Sequence, residues 1–515
     1  MPSTAKELYR QLRLLPWPQL WNEEAPRFDR ASPAERIQQA ALIRAIAVVF
    51  SESGPPEQKE AVRLWLRALL RDPGEKIRRY AAAALPKIGA GPEEEAGLLS
   101  LLRASSSDRE KKFLLQTLEK IGGAATLQII GEAGHDPLPL TEQKIKASLA
   151  RRENPSAIRM DSLLADAANL HVHLRGRRGL EPIVRDEVEH SPRVRGRFRV
   201  VEVRSGLVAL TPLAPFTLAD LCSLRCFGTI GFAIDNAPAA APPDSLAALA
   251  AAIASPLSRR ILKTFTHGTI RYRLNFIGQG HQRSAVRLLA ARVYALCPEM
   301  LNDARHVTWT VDLYPDGRGG SVELRPNLTP DPRFFYRLQD VPAASHPHLA
   351  ACMARLAGKM EPEIVWDPFC GSGLELIERA LLGGVERIFG TDSAAAAIAI
   401  ARRNFAAAKL DLLPAEFLCC DFREFTARAG LRPGDVSLII TNPPLGMRVP
   451  VHDLRGLIQD LFQAAATVLR PGGRLVFANP LSASSPPPSL RLRFRQAVDF
   501  GGFDCRLEMY QKRAR

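Results

Sequence analysis

The last third of the chain alternates short apolar runs with helical stretches, and this constrains the fold more than any other feature. EIVWDPF, ERIFGTD, AEFLCCDF, VSLIITNPP and GRLVFANP read as strands. IERALL, AAAIAIARRNFAAA and LIQDLFQAAATVL read as helices between them. Such alternation implies a doubly wound, mainly parallel sheet. Sheets of this kind bind ligands beyond the carboxyl ends of their strands. Residues that carry chemistry are therefore expected where each strand stops.

The first strand ends in Asp367-Pro368-Phe369-Cys370-Gly371-Ser372-Gly373, and a helix follows. Glycines there let the backbone approach a ligand, and the helix start offers unpaired N–H groups. No Gly-Lys-Ser/Thr follows, and Leu376 stands where a dinucleotide fingerprint needs its third glycine. The second strand ends in Gly390-Thr391-Asp392, where a carboxylate can grip a ribose diol. The third ends in Cys420-Asp421-Phe422, where an acceptor can take a hydrogen bond from an adenine amino group. Together the three ends read as a site for a nucleoside cofactor.

The fourth strand ends in Thr441-Asn442-Pro443-Pro444-Leu445-Gly446. Two successive prolines fix φ and remove two donors. The Asn442 side chain and the Pro443 carbonyl are left as a rigid pair of acceptors. They suit an exocyclic NH₂ on a planar base, whose lone pair is delocalised into the ring. Two hydrogen bonds from that nitrogen help it pyramidalise towards an electrophilic methyl. Catalysis is then mostly positioning and electrostatics, with no metal.

The other segments support a nucleic-acid partner. Net charge is +15, and residues 151–350 hold 26 basic against 18 acidic side chains. A positive surplus favours polyanions through counterion release. Arg193, Arg195, Arg197 and Arg199 in RVRGRFRVVEVR would share one face of a strand, with Val194, Phe198 and Val200 on the other. Arg271 and Arg273 in TIRYRLNF, and Arg283 and Arg287 on one side of a helix, extend the basic set. NAPAAAPPDS reads as an internal loop. The N-terminal part is helical throughout, with apolar spacing over residues 37–50, 61–70, 77–88 and 113–121. KIRRYAAAALPKIG and EKKFLLQTLEKIGG align 33 residues apart, which suggests stacked helix pairs in a solenoid. No apolar run approaches the roughly 20 residues of a membrane span, and the N-terminus lacks a signal-peptide core. Eight cysteines without a C-x-x-C pair make neither a disulfide framework nor a zinc site. The expectation is a soluble cytoplasmic protein.

The last segment resembles class I S-adenosylmethionine-dependent methyltransferases of the amino-methylating type. DPFCGSG with IERAL behind it is similar to the form in THUMP-domain RNA methyltransferases, many of which modify guanine N2. LHVHLRGRRGLEPIVRDEV resembles the opening of their RNA-binding region, and PDPRFFYRLQDVPAASHPHLAACMARLAG their linker. The resemblance implies three parts: a HEAT-like all-α solenoid (1–155), an α+β THUMP-like RNA-binding region (160–345) and a Rossmann-like α/β methyltransferase domain (346–515). It implies S-adenosylmethionine as cofactor. Asp367, Gly371 and Gly373 would line its methionine end and backbone, Asp392 its ribose and Asp421 its adenine. Phe369, Cys370, Ser393 and Phe422, their neighbours in these motifs, would belong to the cofactor site. Asn442 and Pro443 would grip the target amine, with Pro444 and Leu445 completing the catalytic motif. An aromatic usually stands at the place of Leu445, to stack on the flipped base. The partners implied are structured RNA, tRNA or rRNA, and a protein for the N-terminal repeats. Two other readings are an RNA-binding scaffold with a decayed catalytic domain and a DNA adenine methyltransferase.

Overall fold

A computed structural model of the chain describes residues 5–89, 91–132, 142–146, 148–149, 156–234, 245–280, 282–303, 307–314, 321–342, 344–446 and 452–514. They divide into two compact units: Met1–Ala157, Pro238–Arg259 and Thr266–Gly320 in one, and Ile158–Ala237, Arg260–Phe265 and Ser321–Arg515 in the other. Among the described residues no helix is long and apolar enough to cross a membrane. The NAPAAAPPDS stretch lies outside the described residues except for Ser245, which starts the helix Ser245–Ile253.

In the first unit, helices pack on a core that includes Phe28, Ile43, Leu66, Ile77, Leu85, Leu98, Leu114 and Leu118. The 33-residue offset appears as two helices of 14 residues each, Glu75–Ile88 and Asp108–Ile121, which end at Gly89 and Gly122. Arg78 forks onto buried Glu110 at 2.7 and 2.9 Å, and Arg79 lies 5.2 Å over the Phe113 ring. The single helix expected over 37–50 is two, Pro33–Gln39 and Ala41–Ser53, because the chain turns at Ala40. Three parallel strands belong to the same unit, with Ile270–Phe276 between Met300–Asn302 and Trp309–Tyr314.

The second unit holds two sheet regions. Five strands pair antiparallel in the order Phe198–Arg204, Leu207–Pro212, His171–Arg175, Thr229–Ile234, Ser321–Pro326. Buried Glu323 is held by His173 at 2.7 Å and Arg175 at 2.5 Å, and these partners keep its carboxyl below the usual range against the effect of burial. The arginine run does not form the expected strand face. The strand begins only at Phe198, because residues 192–197 turn, with Gly196 at φ +75°. Val194 and Phe198 are nonetheless buried, as the alternation predicts.

The other sheet has seven strands. Numbered along the chain, they stand in the order 3-2-1-4-5-7-6. The first five are Glu363–Asp367, Val385–Asp392, Ala415–Cys419, Val436–Thr441 and Leu469–Asn479, and they run parallel. The last two, Leu490–Asp499 and Asp504–Lys512, form an antiparallel hairpin that the sequence pattern did not mark. Every residue of Val436–Thr441 is buried, as a central parallel strand requires. The strand order reverses between the first and fourth strands, which puts a crevice at their carboxyl ends.

Candidate active site

A cavity of about 500 Å³ occupies that crevice. Its wall includes Phe369, Cys370, Gly371, Asp392, Ser393, Asn442, Pro443, Pro444 and Leu445, so the first, second and fourth strand ends converge. The glycine loop is bent by local hydrogen bonds. The Phe369 amide donates to Asp367 Oδ1 at 3.0 Å, and the Cys370 amide donates to the Thr391 carbonyl at 2.9 Å. Gly371, at φ +49°, donates its N–H to Asp392 Oδ2 at 3.1 Å. The Ala394 amide takes the other oxygen at 2.9 Å. Both Asp392 oxygens are thereby fixed, and each keeps acceptor capacity for a hydroxyl. Gly373 is buried outside the wall. It has φ +84°, and a Cβ there would lie 3.4 Å from Ala401 Cβ, so this glycine seats the helix rather than facing a ligand.

Two carboxyls sit together beneath the loop. Asp367 and Glu375 are buried, and neither has an ion pair among the described residues. Burial, and then the Glu375 carboxylate, push the Asp367 carboxyl well above the usual range. Burial also raises that of Glu375. Glu375 accepts the Ser345 hydroxyl, and Ser345 Oγ accepts from Asn442 Nδ2 at 2.8 Å. The Asn442 carboxamide is thus oriented, with its buried Oδ1 left without a partner among the described residues. Ser345 belongs to the strip 337–345, which is held against the loop. Asn404 Nδ2 donates to the Gln339 and Ser372 carbonyls, each at 2.9 Å, and Ser372 Oγ donates to Asp340 at 3.0 Å.

Residues 335–485 match the family model of the RMKL-like methyltransferase domain. This part of the chain is a methyltransferase domain. The tRNA (guanine(10)-N2)-dimethyltransferases of Methanothermobacter thermautotrophicus and Methanocaldococcus jannaschii are each 30% identical to this chain, over 161 and 146 residues. The matches cover 31% and 27% of this chain and 43% and 38% of those proteins, so the chain spans less than half of each relative. The crystal structure of TrmN from Thermus thermophilus shares the fold, with a TM-score of 0.53 and 21% identity over 67% of this chain and 100% of that one.

The residues of the methyltransferase domain suit S-adenosylmethionine. Asp392 stands where a ribose would be held, and Glu375, without an ion pair among the described residues, lines the same wall and suits a cationic ligand, whereas Asp367, expected at the methionine end, is fully buried and not part of the wall. Asp421 and Phe422, expected at the adenine, are not part of the wall. Exposed Asp421 is paired with Arg423 at 2.8 Å, and buried Phe422 packs 4.9 Å from the Phe369 ring.

Ser345, Glu375, Phe500 and Phe503 also form the wall, and the sequence reading missed them. Only Glu375 carried a local signal, two residues beyond the glycine loop. Of the candidate RNA-binding arginines, Arg193, Arg195, Arg199, Arg273, Arg283 and Arg287 are exposed. Arg197 is paired with Asp220 at 3.0 Å. Arg271 is 3% exposed and so does not present its guanidinium at the surface. Only the first three residues of its strand are buried, a change along the strand that two-residue periodicity alone could not reveal.

Proposed function

We propose that the chain is an RNA methyltransferase that transfers a methyl group to an exocyclic base amine, guanine N2, in tRNA or rRNA. The observation that carries this reading is Asn442 Oδ1, buried without a partner among the described residues and held in place beside the Gly371–Asp392 loop. The two relatives, both tRNA (guanine(10)-N2)-dimethyltransferases, support guanine N2, and tRNA over rRNA.

S-adenosylmethionine, when bound, supplies an electrophilic methyl on a sulfonium. Asp392 and the loop around Gly371 hold the ribose and the methionine end. Asn442 Oδ1 and the Pro443 carbonyl each accept one N–H of the target amine, which localises the lone pair on nitrogen as it attacks; the N–C bond forms as the methyl's bond to sulfur breaks, and the amine releases one proton to solvent. Ser345 keeps the carboxamide from rotating.

In this reading residues 1–155 form a HEAT-like module that recruits a protein, and residues 160–345 form a THUMP-like module that docks RNA phosphates through its exposed arginines. The enzyme works in the cytoplasm on a base extruded from structured RNA. The test is methyl transfer to tRNA, rRNA and duplex DNA, followed by nucleoside mass spectrometry. N2-methylguanosine in tRNA is the expected product. Binding of RNA without binding of S-adenosylmethionine would favour a non-catalytic scaffold, and methyladenine in DNA a different acceptor.

A further inference from the structure

The methyltransferase motif lacks its aromatic, since Leu445 offers apolar contact but no π face. The same cavity wall nevertheless contains two aromatic rings, contributed from another place in the chain. Phe500 and Phe503 stand at the tip of the hairpin that joins Leu490–Asp499 to Asp504–Lys512. Phe500 is 7% exposed, whereas Phe503 is half-buried, with a ring centroid 6.1 Å from that of Phe500. One ring is thus braced in the wall, and the other keeps a reachable surface.

The tip is built to hold that ring still. The Phe500 amide donates to the Phe503 carbonyl at 2.9 Å and closes the turn. Gly501 and Gly502 sit at φ +94° and +102°, a region that side chains strongly disfavour. Their amides both donate to Asp499 Oδ1, at 2.8 and 2.9 Å. The tip is also hooked to a distant segment of the same unit. Asp499 donates its N–H to the Arg178 carbonyl at 3.0 Å, and Arg177 Nη1 donates to the Asp499 carbonyl at 2.9 Å. The Arg177 guanidinium lies 6.0 Å from the Phe500 ring centroid. An aromatic side chain has few rotatable bonds, so a pinned turn fixes its plane at little entropic cost.

We propose that Phe503, braced by Phe500, supplies the aromatic face on which the extruded base stacks, the role that Leu445 cannot fill. This inference rests on the proposed RNA amine methylation. Stacking accepts any base, because every base has a π face. Phe503 therefore contributes residence of the base in the cavity, while Asn442 and Pro443 select a base that carries an amine.

The test uses the full chain, tRNA from cells that lack the gene as acceptor, and S-adenosylhomocysteine as the probe of the donor side. Phe503→Ala should lower kcat/KM for methyl transfer by roughly 5- to 150-fold, the span of base–aromatic stacking. Phe503→Leu, which keeps an apolar side chain of similar size, should lose most of the same factor. Phe503→Tyr and Phe503→Trp should retain activity, and adding Leu445→Phe to Phe503→Leu should restore part of it. Affinity for S-adenosylhomocysteine should be unchanged in all of them. The proposal is overturned if Phe503→Leu and Phe503→Ala both stay within twofold of the parent, or if S-adenosylhomocysteine binding falls with them. In that event Asn442→Ala still lowers transfer on the order of 100-fold, and the amine-methylation reading stands. A parent enzyme that methylates no RNA overturns both.

Discussion

Asn442 donates its amide hydrogen to Ser345 Oγ at 2.8 Å, and this bond decides which atom of the carboxamide faces the acceptor. The Ser345 hydroxyl has a single proton, and that proton is committed to Glu375. Ser345 can therefore only accept from Asn442. Removing the hydroxyl by Ser345→Ala lets the carboxamide rotate. A neutral hydrogen bond contributes about 1 kcal/mol, so kcat should fall about three- to tenfold. Asn442→Ala removes the grip altogether and should cost on the order of 100-fold. Steady-state kinetics on tRNA, with calorimetric titration of S-adenosylhomocysteine as the control, reads both effects. Unchanged kcat in Ser345→Ala would show that the carboxamide is oriented by something else.

The Asp367 carboxyl gives the fold a pH dependence of definite sign. Burial, and then the Glu375 carboxylate, raise its pKa in the native state, while the unfolded chain keeps the ordinary value of 3.8. Above that value the native state binds more protons than the unfolded one, so stability is lost as pH rises towards the native pKa. Asp367→Asn is neutral in both states and removes this contribution. Its Tm should therefore fall less than that of the parent as pH rises above about 4. Parallel Tm–pH curves would mean that Asp367 is already ionised in the folded protein.

Gly179 marks where the basic segment meets the hairpin of the methyltransferase sheet. It adopts φ +97°, and a Cβ there would lie 2.0 Å from the Ala497 carbonyl oxygen. Gly179→Ala must move one backbone or the other and should cost about 2 kcal/mol or more. Chemical denaturation of the full chain measures it. Because the neighbouring Arg178 anchors Asp499, methyl transfer should drop in the same variant while S-adenosylhomocysteine binding holds. A cost under about 0.5 kcal/mol would place this contact among the tolerant ones.

In the helical unit, Arg78→Ala strands the Glu110 carboxylate, which is 1% exposed, with the Ser105 hydroxyl as its remaining side-chain partner of those that hold it now. Removing one partner of a buried pair costs about 3–5 kcal/mol, and the partial exposure of Arg78 lowers the expectation to about 2–3 kcal/mol. The double variant Arg78→Ala/Glu110→Ala should be less damaged than the sum of the singles by about 1 kcal/mol. Additivity within a few tenths would mean that the two helices are held by apolar packing alone.

The five parallel strands were legible because buried central strands read as continuous apolar runs, VSLIIT above all. That Gly371, Asp392 and Asn442 would share one cavity wall was legible because the fold class names the strand ends as the place to look. Asp421 shows the limit of that rule. A carboxylate at a strand end also caps its own turn, and Asp421 accepts the Arg423 amide at 2.9 Å as well as its guanidinium. Ser345 and Phe503 had no local signature. Ser345 meets Asn442 across 97 residues of sequence, and Phe503 reaches the cavity from a hairpin the alternation did not mark. The arginine run failed as a strand for a local reason, the turn at Gly196, which a tally of alternate residues does not register.

The strip from Arg337 to Ser345 contains neither helix nor strand among its described residues, yet it carries the hydroxyl that aims Asn442. Asn404 buckles it to the glycine loop. One residue inserted or removed there would leave the whole scaffold standing while the amide let go of its bearing. The bearing of this site is thus a matter of tether length.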